Sequence, residues 1–347
     1  MAKIDTFLKL MKEHDASDLH LSAGSPPILR IYGEMQKVSY HNLTEEEIKL
    51  LIYEILNEDQ IKRFEKEKDL DFAYQAEDIA RFRGNVFHHN LGIGASLRII
   101  PNEIVPFSKL GLPDGVKDLA RLRSGLVLVT GPTGSGKSTT LAAMIDLLNK
   151  ERTAHIITLE DPLEFVHRNQ KCLITQRQVG VHVTNFAKGL RAALREDPDV
   201  VMVGEMRDLE TISLAITAAE TGLLVFGTLH TNNAAKTVDR IIDAFPKEQQ
   251  EQIRTMLSES LKGVISQQLL KRADGKGRVV AVEILKVNLA VANLIREGKT
   301  FQIASIMQAG KKEGMQLMDQ HLLDLVNNGI ITKQEAYLHC FNKSLLK

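Results

Sequence analysis

The residues Gly131-Pro132-Thr133-Gly134-Ser135-Gly136-Lys137-Ser138 can do chemistry together. Their spacing matches G-x-x-x-x-G-K-[ST], and they stand between an apolar run, Leu126–Thr130, and a helical pattern that continues through Leu141–Leu148. That strand–loop–helix context is what the motif requires. The glycines let backbone N–H groups turn inward around phosphate oxygens, and the following helix adds the positive end of its dipole. The expected ligand is therefore ATP with Mg²⁺. Lys137 is expected to reach the β- and γ-phosphates, and the Ser138 hydroxyl to ligate the metal.

Binding is not hydrolysis, which also needs metal control, an oriented water and positive charge on the transition state. In a parallel sheet such groups must emerge at the carboxyl ends of strands. Three apolar runs end that way. His155–Leu159 leads into Glu160, Asp161 and Glu164; of these, Glu164 is expected to polarise the attacking water. Val200–Val203 leads into Gly204-Glu205-Met206-Arg207-Asp208, a strand ending in a carboxylate, which assigns Glu205 to the metal, with Asp208 a candidate helix cap. Leu223–Thr228 leads to His230, flanked by Thr228, Thr231 and Asn232, and a γ-phosphate sensor is expected there. Near the amino terminus, Arg81 and Arg83 alternate on one strand pattern and Arg98 falls on the next. They read either as a surface charge ladder or as arginine fingers, delivered from another domain or subunit.

The elements that must hold these residues fall into two patterns. Up to residue 100 the chain mixes helices with short strands, expected at Asp18–Leu21, Pro27–Tyr32, Asp69–Tyr74, Ala80–His89 and Ala95–Ile100. Thr44 and Glu47 open a helix with a capping box, and Ile4, Phe7, Leu8, Leu10 and Met11 suit a helical face. Two prolines, Pro101 and Pro106, mark an extended connector over residues 101–112. From residue 113, buried strands alternate with helices at Phe186–Arg195, Leu209–Glu220 and Ala234–Ala244, which implies a parallel sheet covered on both faces. Beyond Pro246 the expectation is a largely helical region with one strand, Arg278–Glu283. The fold class is α/β: a small α+β domain (1–100), then a phosphate-loop domain (113–347).

Composition narrows the function classes. The 347 residues suit about two domains of roughly 100–200 residues each. Net charge is zero, Trp is absent and aromatics are 5%, so neither charge nor stacking surface argues for stable nucleic-acid binding. Cys172 and Cys340 form no metal or disulfide framework, and a reducing cytosol is the expected compartment. The first residues lack the apolar core of a signal peptide, and no stretch approaches a membrane span.

Taken together, GPTGSGKSTT, LEDPLEF, ALREDPDVVMVGEMRDLET, TAAETGLLVFGTLHTNNAAKT and SLKGVISQQLL resemble the secretion ATPases of type II secretion and type IV pili, and most of all the branch that retracts pili. The resemblance covers essentially the whole chain. It implies a PAS-like first domain, a RecA-like motor domain and a homo-hexameric ring, cytoplasmic and peripheral at the inner membrane face. Membrane contact would run only through an inner-membrane pilus platform protein. By motif it places residues 131–139, Thr139 included, on ATP. It makes Glu164 the catalytic glutamate, Glu205 the metal-site carboxylate and His230 the phosphate sensor, with Arg81, Arg83 and Arg98 closing over the nucleotide. The start near the PAS-like domain and the lack of a four-cysteine zinc motif favour retraction over extension or secretion. Val291–Lys299 resembles a retraction signature but carries Ala292 where arginine is usual, which leaves main and accessory retraction ATPase both open.

Overall fold

A computed structural model describes residues 2–31, 33–77, 79–100 and 104–346. Tyr32, Pro101, Asn102 and Glu103, on which the expected second strand and connector partly fall, lie outside the described residues. The chain divides into two compact units, Met1–Glu103 and Ile104–Lys347.

The first unit contains α1 (Asp5–Glu13), β1 (Ala16–Ser22), β2 (Ile28–Ile31), β3 (Glu34–Lys37), α2 (Glu45–Tyr53), α3 (Glu58–Glu67), β4 (Asp69–Ala76), β5 (Ala80–His89) and β6 (Gly92–Ile100). Its six strands form one antiparallel sheet in the order β3-β2-β1-β6-β5-β4. Thr44 accepts from the Glu47 N–H while the Glu47 carboxylate accepts from the Thr44 N–H, which fixes the start of α2. Ile4, Leu8 and Met11 of the first helical segment join Ile48, Phe64, Phe82 and Leu97 in one core. The third helix of this unit, α3, starts with an unanticipated capping box, Asn57 with Gln60.

The second unit runs α4 (Asp114–Ala120), β7 (Gly125–Thr130), α5 (Lys137–Glu151), β8 (His155–Glu160), β9 (Leu173–Gln178), α6 (Phe186–Ala193), β10 (Val200–Val203), α7 (Leu209–Glu220), β11 (Leu224–Leu229), α8 (Ala234–Asp243), α9 (Gln250–Ser260), β12 (Leu261–Lys271) and β13 (Arg278–Lys286). Four helices follow: α10 (Leu289–Arg296), α11 (Ile303–Ala309), α12 (Met318–Asn327) and α13 (Lys333–His339). The sheet order is β13-β12-β7-β11-β10-β8-β9, parallel except for the β12–β13 hairpin. Its central strands are buried on both faces: Leu126 and Leu128 join the cluster under α7, α8 and α9, while Val127 and Val129 join the one under α4 and α5.

Two strands of the second unit depart from the expectation. The region after Pro246 is not largely helical with a single strand, because β12 is an eleven-residue strand. Leu257, Leu261, Val264 and Ile265 continue a helical spacing across the α9–β12 junction, so periodicity carried the helix too far. Gly263 marks the strand instead: a Cβ there would sit 2.5 Å from Leu119 Cδ2, so only glycine lets α4 approach. The other is β9, LITQRQ, whose polar residues suit an edge strand paired to β8 alone and hide it from an apolar-run reading. Among the described residues no helix is long and apolar enough to cross a membrane.

Candidate active site

The strand β7 ends at Thr130, and the loop that follows turns through three glycines at positive φ: Gly131 (+142°), Gly134 (+79°) and Gly136 (+89°). Only glycine adopts such a run without strain, and its reward is a concave row of N–H groups ahead of α5. Lys137 Nζ donates to the carbonyls of Gly131 (2.9 Å) and Pro132 (3.1 Å). These neutral acceptors hold the ammonium where phosphate oxygens would displace them. Burial holds the Lys137 pKa below its ordinary value, and the charges of Glu205 and Glu164 only partly oppose this.

Glu205 and His230 meet because β10 and β11 are parallel neighbours whose ends coincide: Val203 lies beside Gly227. His230 Nε2 donates to Glu205 Oε1 at 2.8 Å, and Arg207 Nε donates to the same oxygen. A Cβ at Gly204 would come 2.9 Å from the Leu159 carbonyl, so glycine lets the end of β10 close on β8. The hydroxyls beside His230 are structural. Thr228 Oγ1 donates to the Gly204 carbonyl, which ties the two strand ends together. Thr231 pairs with Thr237 at 2.6 Å, and Asn233 caps α8. Asp208 caps α7, as expected, by accepting from the N–H and hydroxyl of Thr211.

The acidic loop after β8 separates by burial. Glu160 is buried, and burial raises its pKa. It accepts from Thr158 Oγ1 (2.6 Å), Gln176 Nε2 (3.0 Å) and, weakly, the Glu164 N–H (3.4 Å). Glu160 thus anchors the loop that presents Glu164, whose side chain is exposed. In the first unit, Arg83 and Arg98 are direct cross-strand partners and Arg81 follows on the same outward face. Arg98 Nε donates to Asp18 Oδ1 at 2.7 Å, and Asp18 is buried.

For a divalent cation the relevant donors are hard oxygens. Among the described residues no group of three or more His, Cys, Asp or Glu could hold a metal alone. The oxygens expected to meet the metal, the Ser138 hydroxyl in the first turn of α5 and the Glu205 carboxylate, are hard and few. That suits Mg²⁺, which keeps waters and takes phosphate oxygens, and does not suit zinc.

Residues 4–338 match the family described as type II/IV secretion system protein. The chain belongs to this family. It is 51% identical over 333 residues to the type IV pilus retraction ATPase PilT of Pseudomonas aeruginosa, covering 96% of both chains. It is also 51% identical over 310 residues to a twitching motility protein of Neisseria gonorrhoeae, covering 89% of this chain and 83% of that one. Type II secretion system protein E of Pseudomonas aeruginosa matches over only 44% of this chain and 29% of its own length, at 47% identity. Among solved structures, the pilus retraction motor PilT with bound ADP superposes with a TM-score of 0.93 at 48% identity, covering 99% and 98% of the two chains. This secretion ATPase is accordingly a mixed α/β, two-sheet protein of the PilT kind.

Its site contains three residues that sequence motifs did not assign. Arg207 was visible two places after Glu205, but nothing in its type fixed its direction. Glu160 belongs to the acidic cluster in which the sequence assigns a role to Glu164 alone, and its burial and hydrogen bonds give it the part of an anchor. Gln267 lay in a segment read as helix, and only the placement of β12 beside β7 brings it under the phosphate loop.

Proposed function

We propose that this chain is the motor that retracts type IV pili, driven by Mg²⁺-dependent ATP hydrolysis. It would work as a homo-hexameric ring at the inner face of the cytoplasmic membrane, on a membrane-embedded pilus platform protein and without stable nucleic-acid contact. The observation that carries this reading is the extent of the likeness to PilT, which spans nearly the whole of both chains, whereas the secretion protein shares less than half of this one. In this reading the first unit is PAS-like and the second RecA-like, with the connector over residues 101–112.

The residues divide the work by position. Amides of residues 131–139 would cradle the phosphates, Lys137 would exchange its two carbonyl partners for phosphate oxygens, and Ser138 and Glu205 would hold Mg²⁺. The metal would neutralise developing charge on the β- and γ-phosphates. Glu164, free of the burial that disables Glu160, would accept the proton of the attacking water. His230 hydrogen-bonds Glu205, so a change at the γ-phosphate would pass from one to the other. Arg81, Arg83 and Arg98 would supply the remaining positive charge and let go after hydrolysis. Movement requires ATP and ADP to favour different arrangements of the domains.

Deleting the gene tests the reading. The expected cells are hyperpiliated and do not twitch, and the wild-type gene but not Lys137→Ala restores motility. Bald cells would make it an extension motor, and normal twitching with normal piliation would overturn the proposal.

A further inference from the structure

The segment SLKGVISQQLL contains two consecutive glutamines, and the strand they lie on explains why they differ. In β12, Val264, Ile265 and Ser266 run parallel to Leu128, Val129 and Thr130 of β7, so Gln267 follows beside the first residue of the phosphate loop. Its backbone already touches that loop: a Cβ at Gly131 would fall 2.3 Å from the Gln267 carbonyl oxygen. One rung earlier, Thr130 Oγ1 and Ser266 Oγ share a hydrogen bond of 2.8 Å across the two strands. The Gln267 side chain then reaches under the loop, where Nε2 donates to the Ser135 carbonyl at 2.7 Å. Gln267 is 1% exposed, and its Oε1 is buried with no hydrogen-bond partner, as is Ser135 Oγ.

An amide with one satisfied and one orphaned end is a costly thing to keep in a core. The satisfied end indicates what it does. Ser135 precedes Gly136 and Lys137, whose N–H groups face the phosphates in the nucleotide-bound reading. A carbonyl held from below fixes the direction of the peptide plane above it. Successive side chains on a strand point to opposite faces, and the neighbouring Gln268 pairs through Oε1 with His339 Nδ1 of α13 at 2.7 Å. Gln268 thus ties β12 to the carboxyl-terminal helices, while Gln267 ties it to the loop.

We infer that Gln267 is a positioning residue for nucleotide binding: from β12 it pins the Ser135 carbonyl and so holds the phosphate loop with its amides aimed at the phosphates. This rests on the reading that nucleotide binds at residues 131–139. The loop would make the same contacts with bound ATP and with the transition state, so losing the prop weakens both equally. The expected signature is a raised KM with little change in kcat.

The test compares Gln267→Met with Gln268→Met in the full-length protein. Methionine keeps the volume and removes the amide. Fluorescent ADP binding, ATP turnover and thermal melting are measured on each. For Gln267→Met the expected result is a Kd for ADP and a KM for ATP raised about tenfold, a kcat within about twofold and a melting temperature near wild type. For Gln268→Met the expected result is unchanged nucleotide affinity. An unchanged Kd and KM in Gln267→Met would overturn the inference, as would equal affinity losses in both variants, which would report general damage to β12. Absence of ADP binding in the wild type would instead remove the nucleotide reading itself, and wild-type binding that survives Lys137→Ala would place the nucleotide elsewhere.

Discussion

The phosphate-loop edge of the second unit and the arginine face of the first carry charge in opposite ways. At the loop three charged groups are already engaged inside the fold: Lys137 with two carbonyls, Glu205 with His230 and Arg207, and Glu160 with three donors. On the arginine face, the Arg98 side chain is 67% exposed over a single buried carboxylate, Asp18, at 4%. The first arrangement is prepared before substrate arrives, so its geometry costs nothing at the moment of reaction. The second presents solvated charge on a rigid sheet, where it gains strength only when another surface removes the water. The proposed function asks for that difference: a fixed binding site, and a charge that engages and releases.

Substitutions can break that contrast, and the largest effect belongs to the prepared side. Lys137→Ala removes the one cation held inside the loop. ATP turnover is expected to fall by at least about a hundredfold, measured as phosphate release. A smaller loss would mean that the loop amides suffice.

Arg81→Ala, Arg83→Ala and Arg98→Ala probe the solvated side. Each is expected to lower kcat about tenfold or more while leaving the melting temperature near wild type, because exposed charges contribute little to stability. Wild-type turnover in all three, read by the same assay, would reduce the face to a charge ladder.

The smallest effect lies beside the acidic loop. Burial lowers the His167 pKa to about 4, and its Nδ1 has no partner. The unfolded chain therefore takes up a proton near pH 6.5 that the folded chain refuses until about pH 4, so this residue makes stability fall as pH drops between those values. Denaturant melts at pH 7 and pH 5 should show His167→Gln losing less stability than wild type, by on the order of 1–2 kcal/mol. An identical pH dependence would place His167 in contact with water.

The same contrast explains what could be read without a structure. The loop, the carboxylate after β10 and the histidine after β11 were legible because each follows a run of fully buried residues, and a buried strand admits few alternatives. The outward alternation of Arg81 and Arg83 was legible from strand period alone, and their register with Arg98 was not. What escaped depends on contacts distant in sequence. Gln267 supports the loop from a strand disguised by helical spacing, and the anchoring part of Glu160 depends on its burial and on the Gln176 side chain of β9. The polar edge strand β9 escaped for the same reason, since it supplies Gln176 without an apolar run of its own.

In the proposed mechanism Glu164, held out by buried Glu160, activates the water that attacks ATP. Phosphate release by Glu164→Gln, measured alongside ADP affinity, tests it most directly. The expected result is wild-type affinity with turnover reduced by at least about a hundredfold; turnover at the wild-type rate would contradict the claim.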